Sequence, residues 1–213
     1  VFPNAVIGAE PQDLKYRGGR TTLVVGDRNV FREGVTVNRG TETGGGVTRI
    51  GSDNLLMACA HVAHDCQVGD GNVLANGVLL AGHVRVASHV HLMGLAAVHQ
   101  FASVGQHAFV GGNTPVAQDV PPFMMVAGIP PEVRGVNRIG LKRHGFSHDR
   151  IHAIEDAYLR LYRSDLLREE ALANLEQEFA GQADVKALVD FLRRASQGRH
   201  GRAGEAVRAK SSV

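Results

Sequence analysis

Twelve positions spaced six residues apart constrain this chain more than any other feature. Stepping by six from Ile50 gives Leu56, Val62, Val68, Leu74, Leu80, Val86, Leu92, Val98, Val104, Val110 and Val116. Every one is Val, Ile or Leu, although these types make up only 51 of the 213 residues. The run is therefore no accident of composition. The position after each is mostly small: Gly51, Ala63, Gly69, Ala75, Ala81, Ala87, Gly105, Gly111 and Ala117, with Met57, Met93 and His99 as exceptions. The pattern runs back through Val37, Phe31 and Val25, with a slip of one residue across Gly40 to Val47.

A period of six fits neither an amphipathic helix nor an alternating strand. It fits hexapeptide β-helix repeats, each a short strand plus a turn. Three hexads, about 18 residues, close one triangular coil, and coils stack at roughly 4.8 Å. Each coil buries its face on its neighbours, so the fold needs several coils. Aromatics at 5 %, no Trp and 26 Gly suit such a stack of small and aliphatic side chains.

The hexads are predicted to stop at Val120-Pro121-Pro122, since proline supplies no ladder donor. The predicted division is a β-helix over 1–122, a linker and basic turn over 123–146, a helical domain over 147–198 and a flexible tail over 199–213. Ser147 is the expected N-cap of the first helix, with Asp149 in its first turn. Ile151, Ile154, Ala157, Tyr158 and Leu161 form its apolar stripe. Further helices are expected near 168–179 and 185–195. Two insertions, Glu10 to Thr22 and Gly40 to Val47, interrupt the coils, and loops on a rigid scaffold are where sites are built.

The net charge is +2 and 21 % of residues are charged, with no apolar run of 18. These values predict a soluble protein without a membrane span. Cys59 and Cys66 are too few for a disulfide framework or a zinc ribbon. The expectation is two small buried thiols in a reducing, cytoplasmic setting. The opening Val1-Phe2-Pro3-Asn4 lacks an initiator Met and a signal pattern, and reads as a start from which about three coils are missing.

Eleven histidines are many for this length. The densest run is Ala60-His61-Val62-Ala63-His64-Asp65-Cys66. Val62 points inward, so His61 and His64 face out. His83 and His99 follow about one coil apart each, placing His64, His83 and His99 near one edge of the prism. Spacing alone leaves three readings open. One is a neutral imidazole acting as general base. Another is a zinc site of imidazoles on adjacent coils, as in β-helical carbonic anhydrases. The third is a solvated polar face.

Several ordered strings resemble one family. They are Gln12-Asp13-Leu14-Lys15-Tyr16, Asn38-Arg39-Gly40-Thr41, Gly51-Ser52-Asp53-Asn54-Leu55-Leu56-Met57 and the His61 to Cys66 run. Leu80-Ala81-Gly82-His83-Val84, Ala97-Val98-His99-Gln100-Phe101, Val116 to Pro122 and Gly140 to Phe146 continue the match. Together they resemble the UDP-N-acetylglucosamine O-acyltransferases of lipid A synthesis. The resemblance implies a left-handed parallel β-helix, mainly β, with a small C-terminal α-helical domain. It implies transfer of an (R)-3-hydroxyacyl chain from acyl carrier protein to the 3-hydroxyl of UDP-N-acetylglucosamine. It implies a cytoplasmic homotrimer with sites between prisms.

Carried over by motif, His64 is the general base, Asp65 supports its imidazole and the Gly82 N–H is the oxyanion donor. Gln12, Asp13, His61, His83, His99 and Gln100 line the sugar and acyl pockets. Lys15 and Arg143 meet phosphate or phosphopantetheine, and Asn137 belongs to the nucleotide side. No metal and no covalent acyl-enzyme are implied, and phosphopantetheine enters on the carrier protein.

Two positions depart from the family pattern: Ile139 stands where an acidic residue is expected, and His144 where a second basic residue is. They leave a 3-amino sugar, giving an amide, as an alternative acceptor. The acyl ruler is placed near Phe109 to Gly112. Gly44 to Gly46 reads as a turn, since no Gly-Lys-Ser/Thr follows to make a phosphate loop. No Gly-x-Ser-x-Gly elbow occurs, and no aromatic-basic patch supports a nucleic-acid role.

Overall fold

The computed structural model describes residues 1–210. Strands, numbered in chain order, form three sheets that are the faces of a prism. The first face holds β1 (Val6–Ala9), β4 (Thr36–Asn38), β7 (His61–Val62), β10 (Leu79–Leu80), β13 (Ala97–Val98) and β16 (Pro115–Val116). The second holds β2 (Thr22–Val25), β5 (Val47–Ile50), β8 (Gln67–Val68), β11 (Arg85–Val86) and β14 (Ser103–Val104). The third holds β3 (Val30–Phe31), β6 (Leu55–Leu56), β9 (Val73–Leu74), β12 (His91–Leu92), β15 (Phe109–Val110), β17 (Met124–Ala127) and β18 (Glu132–Val136).

Pairing is parallel from β1 to β17, and its register explains the hexads. Ile50 pairs with Val68, Leu56 with Leu74 and Val62 with Leu80. All twelve hexad residues are buried. Each such side chain contributes about 1.5–3 kcal/mol over exposure. A second inward column lies two residues before the first: Ala60, Cys66, Val78, Val84, Val90, Ala96, Ala102 and Ala108, each fully buried. Polar members of that column are tied across coils. Asn54 Oδ1 accepts from Asn72 N, and Asn72 Oδ1 accepts from Val90 N.

The slip across Gly40 to Val47 is a whole loop outside the coil. Val25 pairs with Ile50 and Val37 with Val62, so the hexads close over the loop without counting it. Ile7 likewise pairs with Val37 across the loop of residues 10–21.

The prism turns its corners through one left-handed residue every six. These are Asp53, Cys59, Asp65, Gly71, Gly77, His83, His89, Leu95, Phe101, His107 and Asn113, with φ between 53° and 67°. For a residue with a Cβ this conformation costs about 1–2 kcal/mol. The ladder and the buried columns offset it coil by coil. Cys59 occupies such a corner and is exposed, which corrects the expectation of two buried thiols. Cys66 is buried, and burial pushes its thiol up to about 12.

The stretch expected as a linker over 123–146 is structured. β17 continues the third face, with Phe109 opposite Met125, and β18 folds back antiparallel on it. Met124 and Val126 are buried, which holds the hairpin on the last coil. Asn137 then caps α1 (Arg138–Arg143). The helices α2 (His148–Tyr162), α3 (Arg168–Glu178) and α4 (Ala183–Ser196) follow. Ser147 Oγ caps α2 by accepting from Arg150 N. Ile151, Ile154, Leu172, Leu175, Leu188 and Leu192 pack with Phe123 and Met124 into a second core.

The tail expected to be flexible over 199–213 is helical over most of its described part and is tied to the last coil by part-buried polar contacts. It forms α5 (Ala203–Lys210). Arg202 Nη1 donates to Ala117 O at 2.6 Å, and Ala203 N donates to Asp119 Oδ2 at 2.8 Å. Residues 211–213 of that expectation lie outside the described residues.

Candidate active site

The site begins at the corner between β7 and β8. Asp65 has φ 60°, which folds the chain back so that its carboxylate meets the ring of the residue before it. His64 Nδ1 lies 2.8 Å from Asp65 Oδ2. The Asp65 side chain is 1 % exposed and the His64 side chain 13 %.

The carboxylate is held from all sides. Oδ1 accepts from Thr41 N at 2.9 Å and Oδ2 from Thr41 Oγ1 at 2.6 Å. Asp65 N donates to Thr48 Oγ1 at 2.8 Å. Burial pushes the Asp65 carboxyl up, but the hydrogen bonds from His64 and Thr41 outweigh it and keep the group below the ordinary carboxylate range. An ionised carboxylate at Nδ1 favours the tautomer with the proton there, leaving the Nε2 lone pair free to take a proton.

Thr41 is placed by the glycine loop. It caps the 3-10 turn Glu42–Gly44, accepting from Gly44 N. A Cβ on Gly44 would collide with the Asp65 carboxylate, so only glycine passes there. Gly45 and Gly46 take φ of 96° and 79° to close the loop. The turn expected at Gly44 to Gly46 thus also builds the site.

Gly82 lies one coil above His64. A Cβ there would stand 2.5 Å from His64 Cε1 and 2.7 Å from Nε2. Glycine therefore lets the imidazole lie against the backbone, and it allows a backbone N–H to approach a reacting oxygen. His83 occupies the corner above Asp65, with Nε2 3.8 Å from Asp65 Oδ2 and its ring edge-on to His64. Phe101 takes the next corner and stacks on His83 at 4.4 Å, the planes 9° apart.

A groove of about 2160 Å³ runs past this corner along the second face. His64, Asp65, His83 and Gln100 line it, with Asp13 and Lys15 from the loop 10–21. Arg39 steadies that loop through Tyr16 Oη at 2.9 Å and Glu10 at 3.0 Å. Gln12 is exposed on the same loop.

His61 and His99 stand on the first face instead. They line a smaller apolar hollow of about 450 Å³ with Leu79, Ala97 and Pro115. Burial and the nearby His64 hold the His61 imidazole below its usual range, and Thr36 Oγ1 lies 2.7 Å from its Nδ1. Asn137 and Arg143 lie at neither place. Asn137 is buried, caps α1 and donates from Nδ2 to His107 O at 2.9 Å. Arg143 is exposed at the end of α1.

One assignment from spacing changes. Phe101, not His99, continues the column of His83, because Asp65, His83 and Phe101 are each 18 residues apart and share the corner conformation. Sequence reasoning also missed Thr41 and Thr48, which hold Asp65. Thr41 sits in a string that marked the family, yet nothing local ties it to Asp65.

His144, which stands where a second basic residue is expected, packs into a histidine cluster. Its ring packs on His89 at 4.6 Å and on His107 at 5.0 Å. Ile139 is exposed on α1.

Comparison with known proteins shows the family. Residues 119–201 match the family described as UDP-N-acetylglucosamine O-acyltransferase, domain 2, and residues 47–82 match the bacterial transferase hexapeptide repeat. A relative from Anaeromyxobacter sp. strain Fw109-5, an acyl-[acyl-carrier-protein]–UDP-N-acetylglucosamine O-acyltransferase, is 54 % identical over 93 % of this chain and 77 % of its own. A protein of the same name from Stenotrophomonas maltophilia is 52 % identical over 91 % of this chain and 74 % of its own. Among solved structures, the Bacteroides fragilis UDP-N-acetylglucosamine acyltransferase superposes with a TM-score of 0.88 at 39 % identity, covering 91 % of this chain and 75 % of that one. The Arabidopsis enzyme gives 0.85 at 39 % identity, covering 92 % and 70 %. The expected fold, a left-handed parallel β-helix with a small helical domain, is the one shared with these structures. The chain belongs to the UDP-N-acetylglucosamine O-acyltransferase family.

Proposed function

We propose that this chain transfers an (R)-3-hydroxyacyl group from acyl carrier protein to the 3-hydroxyl of UDP-N-acetylglucosamine, the first step of lipid A synthesis, with His64 as general base. The observation that carries the reading is the His64–Asp65 pair at 2.8 Å beside the groove. His64 Nε2 takes the proton of the sugar hydroxyl, and the alkoxide attacks the thioester carbonyl. The positive charge that develops on the imidazole is stabilised by the ionised Asp65, which stays unprotonated. The Gly82 N–H serves the oxyanion of the tetrahedral intermediate. Collapse expels the phosphopantetheine thiolate, which His64 reprotonates.

Asp13, Lys15, His83 and Gln100 are proposed to hold the substrates along the groove. His61 and His99 are proposed to line the acyl or sugar path from the hollow on the first face. Asn137 and Arg143 stand at another corner of the prism, so we assign them to a site completed by a neighbouring prism in a homotrimer. The proposed location is the cytoplasm; among the described residues no helix is long and apolar enough to cross a membrane.

The test is acyl transfer from a 3-hydroxyacyl carrier protein to UDP-N-acetylglucosamine, run beside a His64→Ala variant. The variant is expected to lose about 10²–10⁴-fold in kcat, the range of a general base. An unchanged rate would sink the role of His64. Transfer only to the 3-amino sugar would move the acceptor from oxygen to nitrogen.

A further inference from the structure

We propose that His64, Asp65 and His83 also form a site for a divalent transition metal, Zn²⁺ foremost, and that its binding switches the acyl transfer off. One ligand atom from each of the three residues lies within 4.8 Å of the others. A zinc ion with ligands at about 2.0–2.2 Å in tetrahedral geometry sets neighbouring donor atoms about 3.4 Å apart. The two separations at Asp65 Oδ2 bracket that value: 2.8 Å to His64 Nδ1 and 3.8 Å to His83 Nε2. The two nitrogens lie within 4.8 Å of each other, so shifts of up to about 0.7 Å in each ring bring both nitrogens and the oxygen to the spacing of one tetrahedral ion.

The donor set selects the metal. Two imidazoles and one carboxylate suit Zn²⁺ and Co²⁺. Mg²⁺ demands octahedral oxygen ligation and keeps its water, so it fits poorly. The carboxylate is already buried and held by Thr41, so one ligand needs no ordering when the metal arrives. The fourth position opens on the groove, where water completes the shell.

The inhibition rests on the reading of His64 as base and follows from its tautomer. A metal on Nδ1 takes the lone pair that the Asp65-bound tautomer covers with a proton. The single proton of the neutral ring then resides on Nε2. Nε2 becomes a donor and no longer accepts the proton of an incoming hydroxyl. The metal thus occupies the place of the His64–Asp65 hydrogen bond and removes the base in one step.

The test titrates the full chain with Co²⁺ and follows the visible absorption of the tetrahedral ion. One Co²⁺ per chain is expected, displaced by Zn²⁺ and insensitive to millimolar Mg²⁺. His83→Ala and His83→Asn, each checked by circular dichroism, should weaken binding by about tenfold or more, as loss of a ligand exceeds loss of a ligand's support. His144→Arg, which breaks the separate histidine packing at the other corner, should bind as wild type. In the transfer assay Zn²⁺ should abolish activity and a chelator restore it. No tetrahedral spectrum, or wild-type affinity in both His83 variants, would overturn the site. Binding without inhibition would overturn the switch. A chain that binds the metal but transfers no acyl group under any condition would instead count against the proposed function.

Discussion

His64 Nδ1 and Asp65 Oδ2 lie 2.8 Å apart although the two residues are adjacent in the chain. Adjacent side chains in a strand point to opposite faces. Here the left-handed corner at Asp65 reverses the direction and lets neighbours meet. The pair is then locked by Thr41, which comes from a different coil.

Replacing Asp65 by Asn keeps the shape and removes the charge. Asp65→Asn is expected to lower kcat by about 10²-fold, within the span of general-base effects, with KM little changed. The split follows because Asp65 acts through His64, on the charge that develops there. Steady-state rates at varied sugar concentration measure it; an effect confined to KM would contradict the positioning role.

Gly82→Ala introduces a methyl 2.5 Å from His64 Cε1. The ring must swing off Asp65, so activity should fall sharply. Overpacking of this kind costs about 1–3 kcal/mol of stability. Rates and a thermal melt together separate the two effects, and wild-type kcat in a folded Gly82→Ala would show that the close approach is dispensable.

His107 predicts a pH dependence of stability. Burial first, then the neighbouring His89 and His144, push its imidazole down to about 4, with Asp184 opposing and Arg150 reinforcing. Its buried Nδ1 has no hydrogen-bond partner among the described residues. The unfolded chain takes up a proton near pH 6.5, while the folded chain resists it until about pH 4. Stability is therefore full above pH 6.5 and falls between 6.5 and 4, by up to about 1.4 kcal/mol per pH unit from this one group. Urea midpoints at pH 7 and pH 5 should differ, and His107→Phe should shrink the difference.

Arg202→Ala should release the C-terminal helix. The side chain donates to Ala117 O and pairs with Glu205 at 2.9 Å. Charged hydrogen bonds of this sort contribute about 1.5–3 kcal/mol. Amide exchange over residues 199–206 is expected to speed up while the coils stay protected; uniform exchange across the chain would mean the contact supports the whole fold.

The amino-acid sequence determined the repeat, its inward column and the prism, because a coil's contacts are set by a short period that counting reveals. It also placed the helices α2, α3 and α4 to within a few residues, α2 through its apolar stripe and the Ser147 cap, which are local signals. Only the tertiary structure decided what lies between coils. The loops 10–21 and 40–46 leave the count, so the contacts of Thr41 with Asp65 and of Arg39 with Tyr16 have no fixed spacing to read. The choice of Phe101 over His99 beside His83 depended on which residue takes the left-handed corner, a backbone property that the aliphatic pattern does not carry. The hairpin β17–β18 and the docking of α5 rest on pairings with distant residues, such as Arg202 with Ala117, whose short local sequences hold no period. Chemistry at His64 was legible as a motif, but the buried carboxylate that orients it was assembled by parts of the chain that meet only when the coils stack.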